Sequence, residues 1–107
     1  MYRKGKVFYR EILAGEIFEN EDGYAFKYNE TFLNDETCPA ISFTLPKRKE
    51  VYLSKTLFPF FDGLIPEGWL LNLTQNIWKL NRKDRFGILL TVCEDCIGAV
   101  SVKGEEK

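Results

Sequence analysis

Leu57-Phe58-Pro59-Phe60-Phe61-Asp62-Gly63-Leu64-Ile65-Pro66-Glu67-Gly68-Trp69-Leu70-Leu71 joins two halves of the chain that read differently. Before it the sequence alternates like strands, and after it the apolar residues recur at helical spacing. Pro59 keeps Phe58 out of the helical region and itself suits the first turn of a helix. Phe60, Phe61 and Leu64 are spaced to lie on one side of a short helix that Pro66 ends. Pro66-Glu67-Gly68 is a turn, and Glu67 places a negative charge at the start of the next helix, where the helix dipole favours it. The segment is the hinge between sheet and helices. It is also the candidate recognition surface.

On the N-terminal side, Lys6 to Arg10 and Ile12 to Phe18 read as two strands with a tight turn near Arg10-Glu11. Gly15 marks a bulge or a close backbone approach. Asn20-Glu21-Asp22-Gly23 is a hairpin turn, with Asp-Gly suited to the positive backbone angles of a two-residue loop. Tyr24, Phe26 and Tyr28 then share one face of a third strand. Asn29 to Pro39 is polar and turn-rich, with Phe32 and Leu33 as anchors in a helical turn. Ile41 to Leu45 alternates as a fourth strand, which Pro46 stops.

On the C-terminal side, Leu70, Leu73, Ile77 and Leu80 form a helical stripe that Leu71 and Trp78 widen. Asn81 to Asp84 interrupts it, and Asp84 is the expected N-cap of a helix from Arg85 to about Cys93 that buries Phe86, Leu89 and Leu90. Ile97 to Val102 reads as a final strand and Gly104 to Lys107 as a frayed tail. The expected fold is α+β: a small antiparallel β-meander with two or three helices packed on one face. The 107 residues make one domain, with residues 1–56 mainly strands, 57–96 mainly helices, 97–103 a strand and 104–107 the tail.

Composition narrows the function. Fifteen basic and 16 acidic residues leave the chain nearly neutral, which argues against a direct nucleic-acid surface. The short basic runs at Tyr2 to Lys6 and Pro46 to Lys49 read as solvated strand ends. No apolar run resembles a signal peptide or approaches the roughly 20 residues of a membrane span. Three cysteines do not make a secreted disulfide framework, so the chain reads as cytoplasmic.

Catalytic chemistry has little to work with. Histidine is absent, which removes the commonest general base and metal ligand. Cys93-Glu94-Asp95-Cys96 has the spacing of a redox pair or half a zinc site. A redox pair is expected at a helix N-terminus, however, and this one follows a helix. Cys38 is a remote candidate for a further zinc ligand. Small buried hydrophobes at a helix-to-strand turn are the better reading of Cys93 and Cys96. Asp62 and Glu67 flank the central turn like an acid/base pair, but capping and solvation are the ordinary roles there. No glycine-rich phosphate loop is present. No cofactor or metal is expected, and the chain reads as a non-enzyme.

The central stretch, Leu57 to Gly68, resembles the "PFFxxLLPEG" signature of the N-terminal subdomain of HipA-type serine/threonine kinase toxins. Val7-Phe8-Tyr9 through Ala14-Gly15-Glu16-Ile17 is similar to that subdomain's opening hairpin, and Tyr24 to Tyr28 to its third strand. Ile41 to Pro46 is similar to the "SLSLP" strand, and Phe86 to Leu90 with Asp95 to Val100 to the closing "FxLLxxxGxDCxGAL". In full-length HipA-type toxins a kinase core carrying the ATP loop, catalytic aspartate and metal ligands follows this subdomain. Here the sequence stops soon after the last matching strand. It therefore resembles the small HipS-type component of split HipBST toxin–antitoxin systems, whose kinase is a separate protein.

The resemblance implies an antitoxin that binds and neutralises a HipT-like kinase, in a complex that can include a HipB-like helix-turn-helix repressor. Trp69, with Phe61, Asp62, Ile65, Glu67 and Gly68 around it, is the expected contact, because buried aromatics dominate interface energetics. Trp69 also fits the core face of the helix that begins there, and Trp78 is the better core tryptophan. A second reading is an assembly module that completes the kinase and bridges it to the repressor without inhibiting it. A third is a piece of a longer toxin with no independent role.

Overall fold

The computed structural model describes residues 3–65, 83–93 and 99–104. Strands β1 (Lys4–Tyr9), β2 (Ile12–Asn20) and β3 (Gly23–Tyr28) form a meander. Helix α1 (Glu30–Asn34), strand β4 (Tyr52–Ser54), helices α2 (Pro59–Asp62) and α3 (Arg85–Val92), and strand β5 (Val100–Gly104) follow. The sheet is antiparallel and five-stranded, in the order β4-β3-β2-β1-β5. With the three short helices among the described residues it has the expected α+β architecture.

Register decides which residues meet the helices. Val7 pairs with Val102, Ile17 with Phe26, and Phe26 with Tyr52, so these side chains share one face of the pleat. That face carries the core: Val7, Ile17, Phe26 and Val102 are fully buried, together with Phe32, Phe61, Phe86, Ile88 and Leu89 from the helices. Phe32 of α1 stacks on Tyr28, Phe61 of α2 meets Phe26, and Phe86 of α3 meets Tyr24 edge-on. All three helices therefore sit on one face. The opposite face carries Lys6, Lys27 and Lys103 in exposed positions.

The bulge expected at Gly15 lies beside it. Val7 pairs with Gly15 and Phe8 with Leu13, which leaves Ala14 as the extra residue. The freed Ala14 carbonyl accepts from Asn29 N–H at 2.7 Å, tying the bulge to the start of α1. Gly15 itself lies where a Cβ would sit 2.3 Å from the Lys27 carbonyl oxygen, so the close approach is also present.

Two local expectations are corrected. The β2–β3 loop is Glu21-Asp22, closed by the Asn20–Gly23 pair, so Asp22-Gly23 is not its central dipeptide. Asn20 Oδ1 accepts from Asp22 N–H at 2.8 Å, an Asx turn that removes the need for positive angles within the loop. Gly23 alone there has a positive φ, +147°, and opens β3 against Ser54.

The second correction concerns Ile41 to Leu45, which is a turn with one isolated bridge, Ser42 to Leu45, while β4 lies further on. Burial still alternates there: Ile41 and Leu45 point inward and Phe43 outward. The Ser42 hydroxyl captures Thr44 N–H at 3.1 Å, so a local hydrogen bond replaces a ladder bond. Alternation identified the faces but not the curvature.

Candidate partner-binding surface

The segment after β4 is shaped by Pro59 at the first position of α2. Its φ is preset for the helix, and its missing N–H is one that no helix start uses. Asp62 N–H donates to Phe58 O and Gly63 N–H to Pro59 O, each at 2.9 Å. Gly63 ends α2 in right-handed geometry, and the chain turns onward through Leu64 N–H to Phe61 O and Ile65 N–H to Asp62 O. Phe58, Phe61 and Ile65 become the buried side of this element, with Phe60 and Leu64 half-buried against the core.

The predicted contact residues divide by depth. Phe61 is completely buried and Ile65 is 7% exposed, so neither projects to meet a partner. Phe61 lies 5.4 Å from Phe26, 6.0 Å from Phe58 and 5.2 Å from Phe60 between ring centroids, an aromatic cluster beneath the segment. These two side chains belong to the hydrophobic core. Glu67, Gly68 and Trp69 lie outside the described residues, as do the helical stripe from Leu70 to Leu80, Trp78 and Cys96.

Among the described members of the set, Asp62 is the one at the surface. Its Oδ1 accepts from Arg85 Nε at 2.7 Å, with both side chains over two-fifths exposed. Among the described residues this carboxylate therefore joins α2 to α3. An exposed pair of this kind adds no more than about 1 kcal/mol, so it orients the two helices more than it stabilises them.

Asp84 is the N-cap of α3, accepting from Gly87 N–H at 3.1 Å, and the helix buries Phe86, Gly87, Ile88 and Leu89. Leu90 is half-buried, set against Gly5 and Gly104 of the sheet. Cys93 closes the helix as a buried side chain with its Sγ 3.5 Å from Leu64 O, while Cys38 is buried elsewhere under the loop after α1. Among the described residues no group of three His, Cys, Asp or Glu side chains is placed to hold a metal. No helix among them is long and apolar enough to cross a membrane.

Sequence reading passed over three features. Arg3 lies in a run assigned to a solvated strand end, yet it bridges Glu19 and Asp84 at 2.7 and 2.6 Å and covers the Phe86 ring. Lys47 and Arg48, assigned the same way, are also engaged. Lys47 Nζ donates to Asp35 O at 3.0 Å and Cys38 O at 2.7 Å, and Arg48 lies 3.7 Å above the Tyr52 ring. Phe43 is the third feature: a large apolar side chain left entirely in solvent. The turn signals around it, Ser42 and Thr44, were the available hint.

Known proteins share this geometry. Residues 5–103 match the family described as the HipA N-terminal domain. A solved structure titled "N-terminal domain of HipA toxin" superposes with a TM-score of 0.72 at 34% identity, covering 98% of this chain and 94% of that one. An "uncharacterized protein" of Haemophilus influenzae is 33% identical over 107 residues, spanning all of this chain and 97% of that protein. "Putative kinase Y4mE" of Sinorhizobium fredii is 29% identical over 96 residues, which are 89% of this chain but only 23% of that protein.

Proposed function

The chain belongs to the HipA N-terminal domain family, and from that premise we propose that it is a non-catalytic antitoxin of the HipS type, binding and neutralising a separately encoded HipT-like serine/threonine kinase. One observation carries the reading. The domain makes up about a quarter of a protein described as a kinase, yet a Haemophilus influenzae relative is spanned almost end to end by the same domain. A domain that occurs both on a kinase and on its own carries, in the second case, the surface that docked in the first.

The docking residues in this proposal are Asp62, Glu67, Gly68 and Trp69, with Trp69 as the anchor. Phe61 and Ile65 are buried and hold α2 and its following turn against the core, which lowers the entropy lost on binding at Asp62. The partner is a protein surface in the cytoplasm, without cofactor, metal or membrane. A HipB-like repressor joins through the kinase, and nucleic acid is reached only through that repressor.

Affinity capture of the kinase by this protein, with a phosphorylation assay on the captured pair, tests the reading. Stable binding with loss of phosphorylation is the expected result. Binding with phosphorylation intact would replace the antitoxin role by that of an assembly module.

A further inference from the structure

The face of the sheet turned away from the helices divides into a basic row and an apolar row. Register places Lys103, Lys6, Glu16 and Lys27 side by side across β5, β1, β2 and β3. Two residues along the strands, a second row runs Lys4, Phe18, Ala25 and Leu53 across β1, β2, β3 and β4. The four lysines are exposed. Among the described strand residues, this face therefore sets four ammoniums against the one carboxylate of Glu16, in a chain that is nearly neutral as a whole. Phe18 is half-buried, and Leu53 stands 73% exposed beside the covered Ala25. The two rows lie about 7 Å apart.

We propose that this open face docks an acidic amphipathic helix of about three turns, supplied by another protein. Neighbouring strands lie about 4.8 Å apart and a helical turn rises about 5.4 Å, so a helix laid across the strands presents about one side chain per strand along a stripe. Positions i, i+3, i+7 and i+10 of that helix then fall over Lys103, Lys6, Glu16 and Lys27. Carboxylates at i, i+3 and i+10, with a cation at i+7, complement the row, and leucines on the neighbouring stripe cover Phe18, Ala25 and Leu53. An ammonium has three donors, so a lysine that already holds one acceptor can take another. A helix offers both stripes at once, whereas an extended segment turns alternate side chains away. Asp62 belongs to α2 on the helical side of the sheet, so this contact does not compete with the one proposed there.

Two other occupants fit less well. A nucleic-acid duplex presents negative charge alone, which sets a phosphate against Glu16 and leaves Leu53 without an apolar contact. A second copy docked through the same face brings lysines against lysines. The described helices of this chain also lack the matching pattern, since α1 and α2 carry one carboxylate each and α3 none.

The test titrates the purified full-length protein against a labelled, side-chain-stapled helical peptide of about 14 residues built on that glutamate, lysine and leucine pattern. A peptide with every charge reversed serves as the control. Saturable binding of the first peptide and none of the second is the expected result. Lys27→Glu weakens binding about fivefold or more, and Leu53→Ser about tenfold or more. Thermal melts of both variants stay close to the wild type, because both side chains are exposed. Failure of the wild type to bind the peptide overturns the inference, as does equal binding of the two peptides or of the wild type and both variants. A DNA duplex that displaces the peptide and is held more tightly overturns it in favour of nucleic acid. Dimerisation that blocks the peptide and is lost in Leu53→Ser overturns it in favour of a second copy. The probe is not the kinase, so each of these outcomes leaves the proposed function standing.

Discussion

Arg3 Nη1 donates to Asp84 Oδ2 at 2.6 Å and Nη2 to Asp84 Oδ1 at 3.0 Å, while that carboxylate also caps α3 through Gly87 N–H. Residues 81 positions apart in sequence thus share one carboxylate, and the start of the sheet is fastened to the start of a helix. Arg3 Nε reaches Glu19 at 2.7 Å in the same arrangement. Its hydrogen bonds hold both Glu19 and Asp84 below the usual carboxylate range, against a smaller opposing effect of burial.

Carboxylates with depressed folded-state pKa values add stability above their unfolded pKa, near 4, and lose it as pH falls through the lower folded values. Arg3 stays charged throughout. The melting temperature is therefore expected to be flat above about pH 5 and to fall steadily below pH 4. Asp84→Ala should cost about 1–2 kcal/mol as a lost N-cap and flatten the acid limb. Asp84→Asn, which keeps a capping acceptor, should cost less. Melts of the three proteins at graded pH check this.

Tyr28→Phe removes the hydroxyl that serves Ile41 N–H and Leu45 O together. Leaving buried backbone groups unpaired costs about 1–3 kcal/mol, here on a side chain whose ring remains packed. The prediction is a lower melting temperature together with faster amide exchange at Ile41 and Leu45. Unchanged exchange there would show that the clamp on the Phe43 turn lies elsewhere.

Gly15→Ala places a methyl group 2.3 Å from the Lys27 carbonyl oxygen, where the neighbour is backbone and cannot swing aside. A cost of about 1–3 kcal/mol or more is expected, as for overpacking in a core. Gly63→Ala, whose nearest such contact is 3.3 Å from the Pro59 carbonyl, should be far milder. Denaturant titrations of the pair provide the comparison.

Much of this fold was legible because period and punctuation agreed. Tyr24, Phe26 and Tyr28 alternated and do line the core, and Asp84 stood ahead of an apolar run and does cap α3. What escaped was decided by interactions across the chain. Nothing near Arg3 in sequence announces Glu19 or Asp84, and nothing near Lys47 announces the carbonyls it gathers. Ile41 to Leu45 had a strand's alternation, but Ser42 supplied a competing hydrogen bond and Tyr28 drew both ends inward. In the candidate site, the central aromatic segment was recognisable while depth was not. Phe61 and Ile65 are apolar, and apolarity alone does not separate a core support from an interface anchor.

That difference in depth gives a further prediction. Phe61→Ala should cost about 3–5 kcal/mol and lose partner binding only through unfolding. Asp62→Asn should leave the melt nearly unchanged, because its partner Arg85 is exposed. Binding that survives in a folded fraction of Phe61→Ala would confirm the supporting role of the ring.

Neutralisation of a kinase is read most directly by growth. Cells expressing a HipT-like kinase encoded beside this protein should arrest, resume growth when the wild type is co-expressed, and arrest again with a folded Trp69→Ala variant. Continued arrest in the presence of abundant, folded wild-type protein would contradict the antitoxin role.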